Sequence, residues 1–310
     1  MEKVHALLLT EGKTHNSRNG KVLTLPFPVM TKVTRPMQMV NFNPVRDCNH
    51  VFHFMEAIWI LAGRRDVTFL DLFNSNMKNY SDDGISFNAS YGFRAIHHNG
   101  FDQLDTAIEL LKKDPSDRRA GIYLCDPRDM IKDTKDVACN LVLLPRIVNG
   151  RLDLTIFNRS NDAIYGSVSG ANVTQFGMIL KYLAEKLVLK VGNIYTISNN
   201  LHVYLDLYPH WDKLKHMDSN EWYPGYPITK QFNFDCGKEL LDQFCSHVVL
   251  WHEIDVAFES PLLDQVAVPM FNFWYNRKEG NTERSEYWLN KIEMNDWRYA
   301  ITQWVERRSK

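Results

Sequence analysis

The dipeptide Asn149-Gly150 constrains this 310-residue chain more than any other stretch. The apolar run Leu141 to Leu144 lies before it, and the alternating Leu152, Leu154 and Ile156 lie after it. Asn-Gly accepts the left-handed backbone that a two-residue hairpin turn demands, so residues 139–158 are predicted to form a β-hairpin. Cys139 then opens the first strand, and Arg159 and Ser160 lie just past the end of the second. Antiparallel pairing brings thiol, guanidinium and hydroxyl to one end of a sheet, an arrangement that can hold an anion beside a nucleophile.

Helical and extended patterns alternate around this hairpin. Val51, Met55, Ile58 and Ala62 recur at helical spacing with Gly63 as a stop, and Glu56 stands among Phe52, Met55, Trp59 and Ile60. A carboxylate in so apolar a helix either faces a narrow solvated stripe or needs a partner or a proton. Residues 74–100 are polar and irregular and read as a loop, ending at Ser90-Tyr91-Gly92. Leu104, Ala107, Ile108 and Leu111 mark one helix face, and Asp117-Arg118-Arg119 leads into a strand predicted over 120–125. Phe176, Ile179, Leu180, Leu183 and Leu187 predict a long core helix over 174–187. A short strand over 194–197 delivers Asn199 to Tyr204. Beyond it, 222–227 is rich in turns, and Leu240, Leu241 and Phe244 suggest a helix. Trp297, Ile301 and Trp304 predict a C-terminal helix with Asn295 as its N-cap. The expected class is α/β, as one domain over 1–310 with a divergent extension from about residue 215.

With 36 basic and 37 acidic residues the net charge is -1, too small to attract nucleic acid in general, so a phosphate ligand must be held by local arginines. Five cysteines without a CxxC pair, and no secretory leader, point to a reducing cytoplasm. No apolar stretch approaches the roughly 20 residues needed to span a bilayer. No metal-binding pattern stands out.

Cys139, Asn158-Arg159-Ser160-Asn161-Asp162, Asn172 and His202-Val203-Tyr204 resemble, in order and spacing, the catalytic core of the thymidylate synthase family. Arg18-Asn19-Gly20, Glu56, Tyr91-Gly92 and Asp117-Arg118-Arg119 extend the resemblance over residues 10 to 210. It implies a large mixed β-sheet flanked by helices and a sheet-to-sheet homodimer with shared sites. It implies that Cys139 is the nucleophile that adds to pyrimidine C6, Glu56 the proton-relay carboxylate, Asn172 the base reader and Tyr91 a further catalytic residue. Arg18, Arg159 and Ser160 would hold the substrate phosphate together with the neighbouring subunit's copies of Arg118 and Arg119. His202 and Tyr204 would bind the sugar, Asp162 and Tyr80 the folate. The cosubstrate implied is 5,10-methylenetetrahydrofolate, and the substrate a pyrimidine nucleoside monophosphate.

Three departures favour the hydroxymethylase branch of the family over its methylating synthases. Asn140 stands where synthases have histidine, Met77 and Tyr80 stand near the positions of two folate-pocket tryptophans, and the chain ends in the charged run 306–310. The expectation is C5-hydroxymethylation of dCMP or dUMP by the folate and water. A dUMP-methylating synthase and a catalytically silent nucleotide-binding protein are the alternatives. Asn172 favours uracil, but two extra residues between Gly166 and Asn172 leave the base open.

Overall fold

The computed structural model describes residues 2–44, 46–166, 170–208, 211, 232–250 and 252–308. The insertion after Gly166 and the turn-rich stretch 222–227 lie outside them. The chain forms two compact units. The first comprises Met1–Cys48, Gln103–Asp126 and Ala138–Gly225, and the second Asn49–Asp102, Pro127–Val137 and Tyr226–Lys310.

All nine strands among the described residues belong to the first unit: β1 Lys13–Ser17, β2 Gly20–Thr24, β3 Val29–Val33, β4 Ile122–Tyr123, β5 Asn140–Val148, β6 Arg151–Asn158, β7 Asn161–Asp162, β8 Lys190–Ser198 and β9 Leu201–Tyr204. They make two mixed sheets, ordered β1-β2-β9-β7 and β3-β8-β6-β5-β4, where one large sheet was expected. The split has a local cause. Three strands of one sheet run on, after a short interruption, into three strands of the other, in the same lateral order. Pro26 and Pro28 interrupt β2 and β3, Arg159-Ser160 interrupts β6 and β7, and Asn199-Asn200 interrupts β8 and β9. Proline cannot donate to a ladder, and the polar pairs favour turns over strand.

Pairing nevertheless carries across the break. Asn158 faces Ser198 before it and Asn161 faces Leu201 after it, in one register. Asn199 N donates to Asn158 O at 3.0 Å and Asn161 N to Asn200 O at 2.8 Å. The two sheets are thus one sheet creased along a line.

The predicted hairpin is present. Asn149 and Gly150 have φ of 50° and 71°, as a type I′ turn requires, and β5 and β6 pair antiparallel. Two strands differ in length from expectation. β8 begins at Lys190, four residues before the predicted start, because parallel pairing with β6 extends it, and the strand foreseen over 120–125 shrinks to Ile122–Tyr123. The core helix spans Ala171–Lys186 and covers one face of the five-stranded sheet, burying Phe176, Met178, Ile179, Leu180 and Leu183. It starts three residues earlier than predicted, which puts Asn172 in its first turn.

The second unit is helical. His50–Leu61 is capped by Asn49, whose side chain accepts from Phe52 N, and all its residues but His53 are buried. Residues 74–100 are more ordered than foreseen: they include a 3-10 turn at Met77–Tyr80 and the helix Tyr91–Ile96. Gly92 allows that helix close to its neighbour, since a Cβ there would lie 2.0 Å from Ile60 O. Buried Arg94 donates to both carboxylate oxygens of Asp129 at 2.9 and 3.0 Å. The helices Lys238–Val249, Val268–Lys278, Thr282–Lys291 and Asn295–Arg308 belong to the same unit. Asn295, expected as a cap, is the first residue of the last helix, and Trp297 in its first turn packs edge-on to Phe54 at 5.3 Å.

Candidate active site

The hairpin's open end carries the nucleophile candidate. Arg159 N donates to Cys139 O at 3.0 Å, so the first residue past β6 is tied to the residue before β5. The guanidinium folds back over this end. Its Nε donates to Ala138 O at 2.9 Å, and Nη2 stands 3.5 Å from Cys139 Sγ. A positive charge thus sits where a thiolate would need one. Ser160 follows, half-buried in the crease.

Behind Cys139 the sheet carries buried polar groups in place of a purely apolar core. Asn140 and Asn158 face each other across the ladder, 1% and 3% exposed, and Asn158 Nδ2 donates to Asn140 Oδ1. Asn161 Nδ2 donates to Ser198 Oγ at 3.0 Å. Asn140, Asn161 and Asn172 line one pocket beneath the helix Ala171–Lys186, with Ile156, Phe176 and Ile194 among its apolar walls.

Asp162 and His202 are register partners on β7 and β9. Asp162 Oδ1 accepts from Ile164 N at 2.7 Å and Tyr165 N at 3.1 Å. Burial nevertheless pushes its carboxyl up, outweighing those bonds and the nearby His202 and Arg46. Burial likewise pushes His202 down, against the pull of Asp162. His202 Nδ1 lies 2.9 Å from Asn200 Oδ1, an acceptor, so Nδ1 carries the proton. Its buried Nε2 has no partner and is left to accept, for example from a sugar hydroxyl. The Tyr204 ring stands edge-on to it at 4.8 Å.

Arg46 was not foreseen from sequence. It is 4% exposed, its guanidinium lies 4.6 Å from the centroid of the Tyr165 ring, and Nε and Nη2 have no partner. A buried cation with open donors beside the half-buried Asp162 is where an anionic group of a ligand gains most. No periodicity or motif marks this residue in the sequence.

The remaining predicted residues lie on other elements of the two units. Arg18 lies exposed in the β1–β2 turn. Arg118 is exposed, and Arg119 donates from Nη2 to Asp117 Oδ2 at 2.6 Å. Glu56, Tyr91 and Tyr80 belong to the second unit. Glu56 is 8% exposed inside His50–Leu61, Tyr91 opens the helix Tyr91–Ile96, and Tyr80 ends its 3-10 turn, 55% exposed.

The family model for thymidylate synthase matches residues 2–234. A deoxyuridylate hydroxymethyltransferase of Pseudomonas phage M6 is 33% identical over 317 residues, covering 96% of this chain and 88% of the relative. A second deoxyuridylate hydroxymethyltransferase, from Bacillus phage SP01, is 42% identical over 201 residues, covering 61% of this chain and 52% of the relative. A thymidylate synthase of Buchnera aphidicola is 23% identical over 188 residues, covering 59% and 65%. The chain belongs to the thymidylate synthase family and is a one-carbon transferase. No helix among the described residues is long and apolar enough to cross a membrane.

Proposed function

We propose that this enzyme hydroxymethylates C5 of a pyrimidine deoxynucleoside monophosphate, with dUMP as substrate, 5,10-methylenetetrahydrofolate as cosubstrate and water as the final nucleophile. The observation that carries the reading is Cys139 Sγ at 3.5 Å from Arg159 Nη2, beside a pocket lined by Asn140, Asn161 and Asn172. The two phage relatives are deoxyuridylate hydroxymethyltransferases by name, which supports the choice of uracil and of hydroxymethylation.

Cys139 adds through sulfur to C6, which makes C5 nucleophilic, and Arg159 stabilises the thiolate before attack and the phosphate afterwards. Asn172 reads the base edge, and Glu56 keeps the proton-relay role that the family resemblance implies. His202 Nε2 and Tyr204 take the sugar hydroxyl, and Ser160 and Arg18 add phosphate contacts. The folate supplies the one-carbon unit. Asp162 and Tyr80 keep the folate-binding role and Tyr91 the catalytic role that the family resemblance implies, and the open Nε and Nη2 donors of Arg46 fit a carboxylate, which a folate carries. C5 loses a proton and gains CH2OH, the oxygen coming from water. Elimination then frees Cys139.

The reading includes a homodimer formed through the other face of the five-stranded sheet. Met30, Ile197, Phe157, Val142 and Tyr123 lie side by side there in one cross-strand row. Met30 is 67% and Tyr123 54% exposed in the single chain, an apolar row that a two-fold partner would cover. Arg118 and Arg119 would then reach the partner's phosphate, Arg119 exchanging Asp117 for it.

Mass spectrometry of the product tests it. Incubation with dUMP and the folate should add about 30 mass units, the mass of formaldehyde, and release tetrahydrofolate. A gain of about 14 units with dihydrofolate would make the enzyme a methylating synthase instead.

A further inference from the structure

The pair Asn140 and Asn158 is placed to decide which base the pocket accepts. Both side chains are almost fully buried, directly opposite each other at the ends of β5 and β6. Because Asn158 Nδ2 donates to Asn140 Oδ1, the oxygen of Asn140 is turned towards Asn158. Its NH2 is the end of the amide directed away from Asn158, and Asn140 is among the residues that line the pocket. Asn158 Oδ1 has no partner, so this orientation leaves a buried acceptor open behind the pocket. An amide oriented in this way directs a donor towards the pocket wall.

We infer that Asn140 is a second base-reading residue and that Asn158 is the positioning residue that fixes its polarity. The inference deepens the proposed function and rests on its pyrimidine pocket. A donor there complements the C4 oxygen of uracil, which accepts. It opposes the C4 amino group of cytosine, which donates, and a buried donor facing a donor leaves both unpaired. Asn172 alone, an amide free to present either end, reads both bases; with Asn140 polarised by Asn158, the site favours uracil.

Two near-isosteric variants test this. In Asn140→Asp the Asn158 bond survives while the wall turns from donor to acceptor. Asn158→Asp does not touch the ligand. It removes the donor that holds Asn140, so Asn140 must turn its own NH2 towards the new carboxylate and its oxygen towards the pocket. Equilibrium binding of dUMP and dCMP, without folate, reads the polarity independently of the product formed. In both variants the dUMP-to-dCMP affinity ratio should fall by about tenfold or more, the loss that accompanies one unpaired buried group. Asn158→Leu, which removes the positioning bond without a carboxylate, should reduce the ratio less. An unchanged ratio in either aspartate variant, with the fold intact by circular dichroism, overturns the inference while leaving the hydroxymethylase reading standing. Failure of the unmutated protein to bind either nucleotide overturns both.

Discussion

Replacing Arg159 by lysine separates charge from geometry at the nucleophile. The guanidinium serves two groups at once, with Nε on Ala138 O at 2.9 Å and Nη2 at 3.5 Å from Cys139 Sγ. A single ammonium keeps the charge but reaches only one of them. A hydrogen bond from a charged group contributes about 1.5–3 kcal/mol. At 3.5 Å the attraction between the guanidinium and a thiolate is about 5 kcal/mol at an effective dielectric of 20 and about 1 kcal/mol in water. Arg159 is exposed, so the lower figure applies. Losing one contact and weakening the other removes about 3 kcal/mol, or about 10²-fold in kcat/KM at roughly 1.4 kcal/mol per factor of ten. The assay is kcat/KM for the nucleotide, set beside the rate at which iodoacetamide alkylates Cys139, with Cys139→Ser as the blank. Cys48, Cys236 and Cys245 are buried and contribute little to that rate. If Arg159→Lys stays within about threefold of the unmutated enzyme in both measurements, the fork geometry is not what activates the sulfur.

Cys139→Ser should lower turnover by more than about 10³-fold with nucleotide affinity nearly unchanged; retention of a tenth of the rate would remove Cys139 as nucleophile. Mixing Arg119→Ala chains with Cys139→Ser chains should recover activity, because one hybrid site would then be intact, and verified heterodimers without recovery would place each site within one chain. Phe157→Lys puts a charge in the middle of the apolar sheet row and should convert a dimer to monomers in sedimentation velocity, whereas an unmutated chain that sediments as a monomer refutes the assembly. Asp162→Asn keeps the acceptor for Ile164 N and Tyr165 N but removes a charge that burial disfavours. Its Tm should exceed that of the unmutated chain at pH 7. The gain should shrink as pH falls towards the raised Asp162 value, where the folded carboxyl takes up its proton and the burial penalty disappears. A gain that holds or grows with acid would show that Asp162 is not strained by burial.

The hairpin was legible because its signals are local. Asn149-Gly150 fixes the turn, and the turn fixes the register of β5 on β6 from Val148 back to Val142. The helix around Glu56 was legible for the same reason, since its period and its stop lie within fourteen residues. Arg46 was not, because nothing in its neighbours announces that its partners are Tyr165 and Asp162, more than a hundred residues on. The polar pair Asn140 and Asn158 was half legible. Both residues stood out in the family pattern, but their contact depends on the bulge between Asn140 and Val142, which shifts the pairing by one. A bulge leaves no compositional mark in a strand that reads as continuous.

The crease explains why the legible and the hidden parts meet in one place. An unbroken ladder uses its backbone groups on neighbouring strands and points side chains straight up and down. Where three strands are interrupted along one line, Arg159, Ser160, Asn199 and Asn200 leave that pattern, and their side chains can turn towards groups beside them. Asn200 Oδ1 meets His202 Nδ1, and Arg159 folds back onto Ala138 and Cys139. The register still carries across, so the positions of Asp162 and His202 on one side are fixed relative to Asn140 and Asn158 on the other. A flat sheet could present either a nucleophile with its cation or a buried amide pocket at its end. Creasing it sets the two side by side, with both held by strand pairing instead of by loops.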